Sequence, residues 1–115
     1  MKIDFVVPWV NGADVEWQKQ KERYTGIPSV LNDVRYRDWG SFKYWFRAVE
    51  KYAPWVNRIF LITCGQIPDW LNTDHPKLQL VNHKDYMPQE YLPTFSANPI
   101  ELNIHRISGL SEYFV

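Results

Sequence analysis

Apolar positions along this chain fall into short runs broken by one strongly periodic stretch. Residues 3–10, IDFVVPWV, are β-branched and aromatic and read as a buried strand. Pro8 cannot donate to a ladder, so an edge, a bulge or an early end of pairing is expected there. Asn11-Gly12 is a turn signal. Asp14 as N-cap, Glu16 in the first turn and Gly26 just past the end predict a helix over 15–25. Residues 26–40, with Pro28, Asn32 and Gly40, read as a loop with a short extended piece near Val34–Tyr36. Phe42, Trp45, Phe46, Val49 and Ala53 then repeat at the spacing of one buried helix face, predicting a helix over 41–53. Ser41 can cap its start, and Pro54 ends it by pushing the preceding residue out of the α region.

Arg58–Thr63 and Leu78–Asn82 read as a second and third strand, with a helical turn opened by Pro68 and running through Leu71 between them. Residues 86–97 are loop-like, carrying Pro88 and Pro93. Asn98-Pro99-Ile100-Glu101 predicts a helix start, with Asn98 as cap and Pro99 in the first position. Ile100, Ile104 and Ile107 share its face, Gly109 marks its end, and Tyr113–Val115 begin another strand. Strands alternating with helices predict an α/β fold, a mostly parallel sheet with flanking helices. Ligands of such sheets bind beyond the carboxyl ends of the strands. That rule singles out Asn11–Asp14, Thr63–Gln66 and Asn82–Asp85.

Composition narrows the picture. A chain of 115 residues is one domain at most. Thirteen basic and thirteen acidic side chains give a formal net charge of zero, which argues against a nucleic-acid partner bound by phosphate neutralisation. A small anion held by one or two arginines remains compatible with it. The single cysteine, Cys64, excludes an intrachain disulfide and reads as a small core residue near a strand end, compatible with a reducing compartment. No segment approaches the roughly 20 apolar residues of a membrane span. The N-terminus lacks the apolar core of a signal peptide. Aromatic residues make up 17% of the chain, enough both for a core and for rings that meet a sugar or base.

Three constellations could carry chemistry. Trp9, Asn11 and Gly12 could meet a ligand by stacking, hydrogen bonding and close backbone approach, or form a plain turn and helix cap. Arg35, Arg37 and Asp38 precede the long helix. The arginines could receive a phosphate, or Asp38 could simply pair with one of them. Glu101 and His105 stand four apart, the spacing of one helix face, with Arg106 pointing elsewhere. They could act as general base and partner, or face a metal-bound phosphate. Alternatively Glu101 is only a capping-box residue and His105 a structural histidine. His75 and His83 follow no metal-ligand spacing, and there is no glycine-rich phosphate loop and no serine nucleophile elbow.

Taken in order, the segments IDFVVPWVNGAD, RYRDWGSFKYWFRAVEKYAPWVNRIFLITCGQIPDWLN, HPKLQLVNHKDYMP and LPTFSANPIELNIHRISGLSEYF resemble the first two conserved blocks of the Stealth family. The resemblance spans essentially the whole chain. It implies a nucleotide-sugar transferase-like α/β domain that moves a hexose-1-phosphate from a nucleotide-diphosphate sugar to a saccharide hydroxyl in surface polysaccharide synthesis. It implies donor contacts from Trp9, Asn11, Gly12, Arg37, Asp38 and Arg106. Glu101 stands at a catalytic position, with His105 beside it. A divalent metal, Mg or Mn, is expected in the full-length enzyme, with residence in the cytoplasm or at the inner face of the membrane. Asn11 stands where the family often has Asp. The family's acidic Asn-Asp-Asp block would follow Tyr113-Phe114, and neither it nor the later blocks are among these residues. The chain is therefore expected to be the N-terminal part (residues 1–115) of one catalytic domain, incomplete and inactive alone. The alternatives are a glycosyltransferase that moves the sugar without its phosphate and a non-catalytic remnant that binds nucleotide sugar or carbohydrate.

Overall fold

The computed structural model describes residues 2–26, 42–94 and 97–115. Four strands form one parallel sheet in the order β3-β2-β1-β4: β1 (Ile3–Pro8), β2 (Ile59–Thr63), β3 (Leu78–Asn82) and β4 (Tyr113–Phe114). β1 pairs Phe5 with Ile59 and Pro8 with Ile62, and β2 pairs Ile59 with Leu78 and Thr63 with Asn82. β4 covers only Ile3 and Asp4 of β1. The α/β class expected from the element order is the one observed.

Pro8 has a local reason to be tolerated in an interior strand. The Phe5 and Trp9 amides donate to Arg58 and Ile62 on the β2 side, and the Val6 amide donates to Val115 on the other side. The alternation directs the position of the Pro8 nitrogen away from β2, so no bond of the β1–β2 ladder is lost. Of the three expectations, neither an edge position nor an early end of pairing with β2 is found: Pro8 pairs with Ile62 and the ladder runs on to the Trp9 amide.

Side-chain alternation splits the core between the two sheet faces. Phe5, Ile59 and Leu78 pack under the helix α2 (Phe42–Tyr52) with Trp45, Phe46, Val49, Ala53 and Val56. Val6, Phe60, Ile62 and Val81 face the other way, toward Tyr86, Met87, Ile100, Ile104 and Ile107. Phe60, Leu61 and Ile62 are fully buried. Each contributes on the order of 1.5–3 kcal/mol of apolar burial, which makes β2 the spine of the domain.

Helix α1 (Val15–Thr25) has the caps expected of it: Asp14 accepts from the Glu16 and Trp17 amides, and Gly26 adopts the left-handed region at φ 70°. The predicted Ser41 cap and the extended piece near Val34–Tyr36 lie outside the described residues. Pro68 opens a single turn, closed by the Leu71 amide on the Pro68 carbonyl at 3.1 Å, and no helix follows. The loop-like stretch after β3 is built from 3-10 turns at His83–Asp85 and Gln89–Tyr91.

The last helix differs from the sequence expectation. Helix α3 spans Ala97–Leu102, so Asn98 lies inside it and is not its cap, and Glu101 is its fifth residue, beyond the third position where a capping-box glutamate belongs. The helix then breaks. Asn103 is buried and its Nδ2 donates to the Pro99 carbonyl at 2.7 Å, taking the acceptor that a continuing helix would offer to the Asn103 backbone. A 3-10 turn, Ile104–Arg106, follows. Glu101 and His105 therefore belong to two separate elements and do not share one helix face.

Candidate functional site at the carboxyl edge of the sheet

Because the strands are parallel, their carboxyl ends meet at one edge. The turn after β1 is shaped first by Asn11, whose Oδ1 accepts from the Ala13 amide at 3.0 Å. An Asp at this position could accept the same bond, so the departure to Asn preserves the turn and removes only a charge. The Gly12 carbonyl accepts from Gln18 Nε2 at 2.8 Å. Trp9, half-buried, lies nearly parallel to Phe42 of α2, with ring centroids 5.9 Å apart and planes 16° apart. Phe42 in turn meets Trp70 edge-on at 5.5 Å.

The exit from β2 folds back onto this turn. The Asn11 amide donates to Gln66 Oε1 at 2.7 Å, and Gln66 Nε2 donates to the Asn11 carbonyl at 3.1 Å and to Asp14 Oδ2 at 3.2 Å. Gly65 makes the fold-back possible at φ 116°, a left-handed conformation that L side chains rarely adopt, and a Cβ there would lie 3.3 Å from Asn82 Nδ2. At the end of β3, Asn82 and Asp85 form a reciprocal cap: Asn82 Oδ1 accepts from the Lys84 amide, and Asp85 Oδ2 accepts from the Asn82 amide.

A trench follows this edge as two adjoining cavities of about 410 and 470 Å³ that share Gln20 and Cys64. The first is lined by Asp14, Lys19, Arg23 and Gln66, the second by Asn82, His83, Lys84 and Gln89. Lys19, Arg23 and Lys84 bring positive charge to the trench, offset in the first cavity by Asp14 and by Glu16, whose carboxylate lies 3.9 Å from the Lys19 ammonium. The N-terminus of α1 is not part of that supply, because the Asp14 carboxylate already occupies it. His83 is buried, and burial holds its imidazole below the ordinary pKa of 6.5, so it stays neutral at neutral pH. Burial pushes the Cys64 thiol up and the nearby Asp14 carboxylate adds to this, against smaller opposing hydrogen bonds. Cys64 is thus a thiol and a poor nucleophile. It stands at a strand end as expected, half-buried rather than in the core.

A third cavity, about 360 Å³, opens under α2 between Phe46, Val49, Val56, Trp70 and Leu78. It reaches the amino ends of β2 and β3 and has the apolar floor of the core cluster, so it lies away from the edge where the strand-end chemistry gathers.

Of the residues picked out in the sequence, the structure brings Trp9, Asn11 and Gly12 to the carboxyl edge. Arg37 and Asp38 lie outside the described residues. Glu101, His105 and Arg106 are exposed, and among the described residues none of them contacts the turn after β1 through a hydrogen bond or ion pair. Gln66, Arg23 and Lys84 were not picked out individually. Lys19 and Arg23 stand four apart on α1, a signal available in advance, but the partners of Gln66 are more than fifty residues away in the chain. Among the described residues, no group of three or more His, Cys, Asp or Glu side chains is placed to hold a metal ion. These residues alone do not fit a divalent cation. No helix among them is long and apolar enough to cross a membrane.

Residues 1–28 match the family described as Stealth protein CR1, conserved region 1, and residues 35–115 match Stealth protein CR2, conserved region 2. The chain is 59% identical over 116 residues to a capsular polysaccharide phosphotransferase WcwK of Streptococcus pneumoniae, covering 98% of this chain and 35% of that protein. It is 57% identical to the receptor polysaccharide phosphotransferase WefC of Streptococcus oralis, covering 99% of this chain and 36% of that one. It is 56% identical to the capsular polysaccharide phosphotransferase eps5J of Streptococcus thermophilus, covering 98% and 50% respectively. The chain thus spans between a third and a half of the length of these relatives.

Proposed function

Starting from the fact that this chain belongs to the Stealth family, we propose that it forms the donor-binding part of a polysaccharide phosphotransferase. The protein transfers a hexose-1-phosphate from a nucleotide-diphosphate sugar to a saccharide hydroxyl. The observation that carries this reading is the trench at the carboxyl edge, where the ordered turn at Asn11–Gly12 lies beside a cleft with three cationic side chains. An elongated, doubly charged donor suits that cleft. Its diphosphate would meet Lys19, Arg23 and Lys84, while Trp9, Asn11 and Gly12 bound the end nearest β1. Arg37, Asp38 and Arg106 complete the proposed donor contacts.

In the proposed step the acceptor oxygen bonds to the phosphorus next to the sugar. The hydroxyl proton passes to the Glu101 carboxylate, and the bridging phosphorus–oxygen bond breaks. The nucleoside monophosphate leaves with the bridging oxygen. Glu101 is exposed, which suits a base that must reach an incoming acceptor. His105, on the next element, supports it. A divalent cation belongs to the proposal only with ligands from beyond the described residues. The proposed setting is the cytoplasm or the inner face of the membrane.

The test is nucleotide release by the protein in its full natural length, given UDP-N-acetylglucosamine or related donors, Mg or Mn, and an oligosaccharide acceptor. Acceptor-dependent release of the monophosphate is expected. A Glu101→Gln variant should lose about 100-fold or more of that rate with an unchanged Tm. Release of the diphosphate would identify plain glycosyl transfer, and binding without turnover would identify a non-catalytic remnant.

A further inference from the structure

The trench owes its shape near β1 to one side chain. The last backbone bond between β1 and β2 runs from the Trp9 amide to the Ile62 carbonyl at 2.9 Å. Two residues further along β1, the Gln66 side chain takes over the role of a neighbouring strand. It accepts from the Asn11 amide and donates to the Asn11 carbonyl. Its remaining N–H reaches Asp14 Oδ2, while Asp14 Oδ1 caps α1. Both hydrogens of the Gln66 amide are therefore engaged, and its oxygen holds the Asn11 amide. The reverse orientation of the amide would set its NH₂ against the Asn11 N–H, so the partners determine which way it points. The β2 exit is built for this reach: Gly65 takes a conformation that favours glycine, and its amide donates to Thr63 Oγ1 at 3.0 Å.

Resting on the donor site proposed above, we infer that Gln66 is the positioning residue of that site. It holds the Asn11–Gly12 turn and the start of α1 in one arrangement, and it donates no hydrogen bond to the donor, because its hydrogens are already spent. The Asn11 Oδ1 is committed to the turn as well, which leaves the Asn11 Nδ2 as the group of that side chain for a ligand oxygen.

The consequence is specific to charge. In Gln66→Glu an oxygen replaces the NH₂ and faces the Asn11 carbonyl and the Asp14 carboxylate, two acceptors. Protonating that new carboxyl restores one donor. Gln66→Met keeps the length and removes every polar bond at any pH. The experiment uses the full natural protein with UDP-N-acetylglucosamine as donor and reads KM for donor and acceptor separately. Losing both donated bonds is expected to raise the donor KM about tenfold in each variant near pH 7.5. The acceptor KM and kcat at saturating donor should stay within about twofold. Lowering the pH toward about 4.5, close to where a glutamate carboxyl takes up its proton, should pull the Glu variant back toward the unaltered protein measured at the same pH. The Met variant should show no such recovery.

A donor KM that does not move in either variant overturns the inference. So does a parallel rise of both KM values, and so does failure of both variants to fold, because each would make Gln66 a general structural residue. Failure of the unaltered protein to bind or turn over any nucleotide sugar sinks the underlying reading as well. A working protein with an unmoved donor KM sinks the positioning role alone.

Discussion

The corner where β1 meets α1 and the segment from α3 to β4 are held together by different means. At the corner, Asn11, Asp14, Gln18 and Gln66 are tied to the backbone by short side-chain hydrogen bonds. The α3–β4 segment instead lies on the sheet through Ile100, Ile104, Ile107 and Leu110, with three polar anchors among the described residues. One anchor is the Tyr86 hydroxyl on the Ile100 carbonyl at 3.1 Å. The others are the Ser111 hydroxyl, which donates to the Lys2 carbonyl at 2.7 Å, and Asp4, whose fully buried carboxylate accepts from the Ser111 amide at 2.7 Å and from Asn57 Nδ2 at 2.8 Å. Apolar contact fixes where a segment lies but leaves its outward-facing polar groups unaligned. The proposed donor end is thus pre-organised, whereas Glu101 and His105 stand exposed on two short elements.

If that contrast holds, substitutions should sort by region. The largest stability loss should come from Asp4→Ala, which strands two donors at the root of the α3–β4 segment. It should cost about 2–4 kcal/mol in chemical denaturation, and a loss below about 1 kcal/mol would mean the apolar contacts suffice alone. Asp14→Ala removes the α1 cap and one Gln66 partner, and should cost about 1–2 kcal/mol together with weaker donor binding. An unchanged donor KM there would break the link between corner and donor. The smallest effect is a pH dependence from His83. Its folded-state pKa lies below 6.5 because burial disfavours the imidazolium, so the unfolded chain takes up the proton first. Stability should be full above about pH 6.5 and decline as pH falls toward the folded value. His83→Phe should abolish that slope, and an identical slope in the variant would assign it to other groups.

Much of the scaffold could be read from local patterns. The run at 59–63 announces a strand because burial on both faces demands continuous apolar residues, and 3–8 and 78–82 announce theirs by aliphatic and aromatic residues broken by single polar positions, Asp4 and Gln79. Helix α2 is legible because one face repeats at helical spacing. The break after Leu102 was hidden for a physical reason: Ile100, Ile104 and Ile107 keep their apolar spacing and still pack together, while a buried amide at Asn103 interrupts the backbone ladder. Asn11 and Gly12 could be flagged as a strand-end turn. The clamp that shapes the turn could not, since Gln66 meets Asn11 across 55 positions and nothing local to either residue encodes that pairing.

The strand order also has a consequence in time. β1, synthesised before the other three described strands, lies between partners that come much later: Phe5 waits for Ile59, and Ile3 waits for Tyr113. Each pairing closes a long loop before any ladder bond forms, so this sheet relies on the non-local contacts that slow folding. On the ribosome, β1 emerges with an apolar face and open edges long before β2 can cover it, and it is the stretch that a chaperone would have most reason to hold.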